Sequence, residues 1–197
     1  MTILSDKDIK EEREKGNIII EPFNERNLGN CSYDVTLGPN YYEWNKEYDK
    51  ETFCPWLPED VAKFWKPKSA TDCGVILIRP RETILAHTNE FIGGIGNITT
   101  KMQARSSLGR CCVSVCKCAG YGDIGYTSKW TMEIENAGPV PLTLIVGQRI
   151  AQIIFIRTGE VEKSYSVNGS YQTTDDFEEI KRTWTPEMML PKLKYDS

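Results

Sequence analysis

Between Gln103 and Gly138, in QARSSLGRCCVSVCKCAGYGDIGYTSKWTMEIENAG, 36 residues hold the side chains best suited to chemistry. Arg105, Ser106 and Ser107 stand together, Arg110 follows, Asp123 lies in a glycine-rich turn and Glu133 lies within an apolar strand pattern. A guanidinium presents a planar fork of donors that grips phosphate oxygens in pairs, and neighbouring hydroxyl and backbone N–H groups add donors at close range. Read alone, R-S-S equally describes polar residues that end a strand. Alternation from Trp130 puts Trp130, Met132 and Ile134 on one face and Thr131, Glu133 and Glu135 on the other. A Glu133 carboxylate facing a closed cavity has its charged form disfavoured by desolvation, which raises its pKa toward that of a proton shuttle, and Arg110 would oppose the shift. Facing water, it is an ordinary solvated acid.

Other candidates carry less. A zinc deaminase takes a histidine or cysteine and a C-x-x-C pair as ligands, and that signature is absent from the sequence. The single histidine, His87 in ETILAHTNE, reads as a strand residue rather than a ligand. Cys112, Cys116 and Cys118 have even spacing, which suits a shared strand face and packed thiols more than a metal site. Asp34, the one acid in CSYDVTL, reads as a buried carboxylate anchoring a turn. Water activated by these residues is therefore activated without zinc, which returns the argument to Glu133.

The elements that would position these groups are mainly strands. Ser5 and Asp8 cap a short helix reaching about Lys15 and ended by Gly16, and NIIIEPF follows as a strand. Residues 24–30 are loop-like, Cys31–Leu37 alternates as a strand closed by Gly38-Pro39, and Pro58 with two acids opens a small helical insertion over residues 58–66. From Gly74, the short runs VILI, ETILAHT, IGNITTKMQA, CCVSV, KWTMEIEN, LTLIV and RIAQIIFIR, separated by Gly, Pro or Asn, predict an all-β barrel or sandwich. After Arg157 the chain turns polar and reads as an arm with flexibility. With 197 residues, 40% hydrophobic and 26% charged, the composition is that of one globular domain. No apolar run approaches a membrane span and no export signal opens the chain, so it is expected in the cytoplasm without a membrane partner. Seven cysteines, an odd number, fit free thiols in a reducing compartment. A net charge of −4 argues against a non-specific nucleic-acid partner.

A-R-S-S-L-G-R, A-G-Y-G-D-I-G-Y and T-M-E-I-E, together with I-L-S-D-K-D-I, I-E-P-F-N and C-S-Y-D-V-T-L-G near the N-terminus, resemble the dCTP deaminase branch of the trimeric dUTPase superfamily. Its bifunctional dCTP deaminase/dUTPase members are the nearest in pattern. The resemblance covers roughly residues 3–172. It implies a distorted β-barrel or jelly-roll domain over 1–172 with a C-terminal arm at 173–197, and a homotrimer with sites at subunit interfaces. It further implies deamination of dCTP to dUTP and ammonia, continuing in bifunctional members to dUMP and pyrophosphate, with Mg²⁺ accompanying the triphosphate. Carried over by motif, Glu133 is the base that activates water, Ser106 assists at the reacting centre and Arg110 orients the glutamate. Arg105, Ser106 and Ser107 bind the triphosphate, the backbone near Ala119 reads the base, and Asp123 activates the water of the dUTPase step. Tyr126 stacks beside deoxyribose, and Tyr171 and Gln172 close over the nucleotide.

The sequence departs from that pattern in places. Cys116 stands where a histidine is usual, Ser170 where a lysine often is, and Thr173 and Thr174 where the arm has a glutamine, whereas Ala119-Gly120 matches bifunctional members. A dUTPase without deaminase activity and a nucleotide-binding regulator are the alternative readings.

Overall fold

Local sequence signals set most of the elements, and burial of one face sets how they pair. The computed structural model describes residues 1–165 and 169–193. A two-residue strand β1 (Thr2–Ile3) leads into helix α1 (Asp6–Glu14). The Ser5 hydroxyl accepts the Asp8 N–H at 3.2 Å while the Asp8 carboxylate accepts the Ser5 N–H at 3.0 Å, a reciprocal cap of a kind that contributes about 1 kcal/mol. Gly16, with φ +80°, stands just past the helix as expected. Ile9, the only apolar residue of α1, is fully buried.

The chain continues through β2 (Ile18–Glu21), β3 (Tyr33–Trp44), α2 (Pro58–Phe64), β4 (Trp65–Ser69), β5 (Val75–Ile78), β6 (Thr83–Gly94) and β7 (Ile98–Ala104). A single turn of helix, α3 (Ser106–Gly109), precedes β8 (Val113–Ser114), β9 (Tyr121–Gly122), β10 (Thr127–Asn136), β11 (Leu142–Ile145), β12 (Arg149–Arg157) and α4 (Phe177–Thr183). Ten strands make one curled sheet in the order β8-β10-β6-β3-β12-β7-β9, with β1 on β12, β2 on β6 and β4 on β3. β5 and β11 pair separately. This is the mainly β, barrel-like architecture expected, wrapped around a core that includes Tyr33, Val35, Ile84, Trp130, Met132, Ile153 and Phe155.

Several boundaries differ from the sequence reading. β3 does not stop at Gly38-Pro39 but runs through it to Trp44, its register shifting between Leu37 and Tyr41. That irregularity tolerates a proline, which has no N–H for the ladder. Gly38 is required there, because a Cβ would lie 2.1 Å from the His87 ring. The helical insertion ends at Phe64, and residues 65–66 already belong to β4. Of CCVSV only Val113–Ser114 is strand, so Cys112, Cys116 and Cys118 do not share a strand face; Cys112 and Cys116 have φ of 60° and 55° and lie in loop.

The segment after β12 carries ordered elements on the sheet. Asp176 caps α4 by accepting from the Glu178 and Glu179 N–H groups, and Ile180 is buried. Trp184 lies with its ring 4.7 Å from that of His87, and Lys129 Nζ sits 5.0 Å over it. A 3₁₀ turn at Pro186–Met189 then sets Met189 against Tyr42 and Leu85. The last four residues of the expected arm, 194–197, lie outside the described residues. No helix among the described residues is long and apolar enough to cross a membrane.

Candidate active site

β10 is held on β6 with Glu133 opposite Leu85. Its alternation is as predicted: Trp130, Met132 and Ile134 are buried in the core, and Thr131, Glu133 and Glu135 share the opposite face. A bulge between Lys129 and Thr131 turns the Trp130 N–H to the Thr88 hydroxyl at 2.8 Å. Glu133 faces a cavity of about 510 Å³, a size that suits a small organic ligand. One of its carboxylate oxygens, Oε2, is buried without a hydrogen-bond partner. Burial raises the Glu133 pKa, opposed by a backbone hydrogen bond and by Lys117. Lys117 itself pairs with Glu135 at 3.3 Å, so one lysine acts on two acids. The Cys116 thiol is pushed up to about 12 by burial and by the Glu133 charge.

Asp123, exposed, stands in the turn between β9 and β10 and lines the same cavity. The turn depends on Gly125, whose φ is 91° and whose added Cβ would lie 1.9 Å from the Ser164 hydroxyl. The Tyr126 N–H donates to the Asp123 carbonyl at 3.1 Å, closing the turn. The Tyr126 ring packs between Trp130 and Tyr165, 5.7 and 5.2 Å away, and burial pushes its hydroxyl up to about 12. Ala119 and Tyr171 complete the predicted residues on this cavity wall.

The remaining predicted residues lie elsewhere in the chain. Ser106, Ser107 and Arg110 are exposed on and beside α3, outside the Glu133 cavity. Arg105, at the end of β7, is half-buried with Nε 3.4 Å from Asp34 Oδ2, which also meets Arg149 Nη1 at 3.2 Å. Asp34 is therefore buried as expected, but it ties two arginines to the start of β3 instead of anchoring a turn. Next to α3 runs a wider groove of about 810 Å³, whose walls include Gln103, Gly109, Val115 and Lys117. Gln172 is buried: its Oε1 accepts the Thr127 N–H at 2.7 Å, and its Nε2 donates to the Gly125 and Thr174 carbonyls at 2.9 Å. It fastens the arm to the Asp123 turn. Tyr171 accepts the Lys192 N–H at 3.1 Å through its hydroxyl.

His87 is buried, with Nδ1 2.8 Å from the Thr88 carbonyl and its pKa pushed down to about 4 by burial. Among the described residues no cluster of three His, Cys, Asp or Glu side chains could hold a metal ion. The sequence reading did not single out Phe53, Trp65, Leu85, Tyr165 and Met189, which also line the Glu133 cavity. They are apolar or aromatic residues without a motif, and only Phe53 and Trp65 lie in an aromatic-rich stretch, residues 41–65, that could have drawn attention.

Comparison with known proteins shows the family. The model of the dCTP deaminase-like family matches residues 3–158. The dCTP deaminase, dUMP-forming, of Methanobrevibacter smithii is 35% identical over 156 residues, covering 79% of this chain and 80% of that protein. The protein of the same description from Methanosphaera stadtmanae is 35% identical over 167 residues, covering 84% of each. In fold, the crystal structure of 2'-deoxycytidine 5'-triphosphate deaminase from Agrobacterium tumefaciens superposes with a TM-score of 0.61 at 18% identity, over 80% of this chain and about half (49%) of that longer one. By these matches the chain belongs to the dCTP deaminase-like family.

Proposed function

We propose that the protein hydrolyses dCTP to dUTP and ammonia and carries the product on to dUMP and pyrophosphate. The buried, unpartnered Glu133 oxygen, in a cavity shared with Asp123 and Tyr126, carries this reading. Glu133 takes a proton from water as the oxygen adds to C4 of cytosine. It then returns protons to the ring and to the departing amine, so that ammonia leaves and the carbonyl of uracil forms. A carboxyl held by burial above its ordinary pKa suits both halves of that exchange. The backbone near Ala119 reads the base, Tyr126 stacks on deoxyribose and Asp123 activates a second water toward the α-phosphate. Tyr171, on the cavity wall, covers the nucleotide, while Gln172, bonded to the Asp123 turn, reaches substrate only by exchanging those bonds.

Arg105, Ser106, Ser107 and Arg110 bind the triphosphate and steady the reacting centre. Since they lie outside the Glu133 cavity of their own chain, we place them in the site of a neighbouring copy, with three such sites in a homotrimer. Mg²⁺ enters as part of the substrate, held by phosphate oxygens with at most one or two carboxylates. The cytoplasm is the compartment that such a nucleotide enzyme with seven free cysteines fits.

Incubation with dCTP and Mg²⁺, followed by chromatography and an ammonia assay, tests the reading. The expected products are ammonia, dUMP and pyrophosphate. Pyrophosphate from dUTP with no ammonia from dCTP would leave a dUTPase in which Glu133 is structural.

A further inference from the structure

The Glu133 cavity has two chemically different ends. Toward Asp123, Tyr126, Tyr165 and Tyr171 it is polar; past Glu133 it is walled by Phe53, Pro55, Trp65, Leu85, Met189 and Pro191. The sheet sets this layout. Glu133 faces Leu85 across the β10–β6 pair, Leu85 faces Tyr42 across β6–β3, and Trp65 faces Trp44, two residues from Tyr42, across β3–β4. Directly paired residues project to the same side of a sheet, so a strip of side chains runs from Glu133 to Trp65 over three strand spacings, about 14 Å. Phe53 and Pro55 cover it from the loop before α2, and Met189 and Pro191 from the far C-terminal segment. Met189, Tyr42 and Leu85 form a small apolar cluster with Trp65 and Leu190 packed on it. The family match ends at residue 158, so part of this wall comes from chain that the family model does not describe.

In a cytidine nucleotide, C4 lies across the ring from N1, which carries the sugar. With the sugar at Tyr126 and C4 at Glu133, the base atoms that point past Glu133 are the C4 amine and one flanking ring edge. The N3 edge is a hydrogen-bond acceptor and wants donors, whereas the C5 edge is a C–H. Apart from the Trp65 indole N–H, which is buried without a hydrogen-bond partner at the end of the strip farthest from Glu133, the six side chains at this end offer only carbon and sulfur. We infer that this apolar end is a subsite for an alkyl group on C5 of the pyrimidine, so that 5-alkyl deoxycytidine triphosphates are substrates alongside dCTP. The inference rests on the deaminase reading above, and it adds a substrate class to that reading.

The test is kcat/KM for dCTP and 5-methyl-dCTP side by side, with ammonia as the readout. The 5-methyl compound is expected to match or exceed dCTP, gaining about fourfold in affinity for one buried methyl. Leu85→Phe, which fills the floor of the subsite, is expected to lower the ratio of 5-methyl-dCTP to dCTP about tenfold. Because Leu85 is a buried strand residue, Phe53→Ala in the loop provides an independent arm: it should raise the ratio of the bulkier 5-propynyl-dCTP to dCTP by a similar factor. Turnover of dCTP with 5-methyl-dCTP a hundredfold poorer overturns the inference and leaves the deaminase reading standing. So does a ratio for 5-propynyl-dCTP that Phe53→Ala does not move. If dCTP itself yields no ammonia, the deaminase reading fails and takes the inference with it.

Discussion

Two regions that the sequence pairs in one motif cluster come out unlike in the structure. The Glu133 wall of β10 is a rigid strand buried on one side, with its acid facing a cavity and one oxygen lacking a partner. The Arg105–Arg110 turn is a single helical turn at the surface, its serines exposed and its first arginine held by Asp34. One region is assembled within a single chain, its cavity wall drawn from β10, β6 and the C-terminal segment. The other offers, in Ser106, Ser107 and Arg110, exposed donors beside the Asp34-held Arg105, which suits the proposed half-site. A strand buried on one face fixes a carboxylate through packing alone, whereas the proposed phosphate grip of exposed arginine and hydroxyls would be completed only by its ligand and a neighbour.

The largest effect should come from the buried side of the comparison. Glu133→Gln keeps shape and hydrogen bonding but removes the base, so ammonia release should fall by roughly 10²–10⁴ with dCTP still bound. An equal loss of binding would instead make Glu133 part of the pocket's structure. On the exposed side, Arg105→Ala should weaken triphosphate binding about tenfold to a hundredfold and nucleoside binding far less. Because Asp34 keeps Arg149, the fold should survive; parallel losses for nucleoside and triphosphate would show that Arg105 works through Asp34 and β3. Gln172→Ala leaves the Thr127 N–H and Gly125 carbonyl without their partners, at a cost of about 1–3 kcal/mol read by denaturant unfolding.

Smaller and more diagnostic is the pH dependence. In the proposed reaction Glu133 works as a base only when ionised; burial raises its pKa and Lys117 lowers it. Lys117→Met should therefore move the acid limb of the kcat/KM profile to higher pH, and an unmoved limb would remove Lys117 from the site. Stability follows the same linkage. A carboxyl whose folded pKa is raised contributes most below its unfolded value and loses that contribution as pH rises through the folded one. Glu133→Gln should thus be more stable than the parent at pH 8 and not at pH 4, by thermal melts at both.

How much was legible follows the same divide. The Ser5 cap, the β10 alternation and the Asp123 turn were readable because each is local: a side chain satisfying a nearby N–H, a period of two, a glycine at positive φ. The passage of β3 through Gly38-Pro39 was not, because it depends on His87 packing over the glycine from another strand. α4 had a readable start in Asp176 with Glu178 and Glu179, and Phe177, Ile180 and Trp184 at helical spacing. The polarity of the surrounding arm masked it. The apolar end of the cavity was out of reach, since Leu85, Trp65 and Met189 meet only through the sheet and the returning C-terminal segment.

Whether the two halves belong to one site built from two copies is decided most directly by mixing. Glu133→Gln and Arg110→Ala proteins, each inactive alone, are unfolded together and refolded at equal ratio, and ammonia release from dCTP is measured. Random assortment of chains in a trimer with shared interfaces gives about a quarter of the sites an intact glutamate from one copy and an intact arginine from the next. The account predicts that activity returns to about that fraction of the parent's. A mixture as inactive as its components would contradict it and place Glu133 and Arg110 in a site made within one chain.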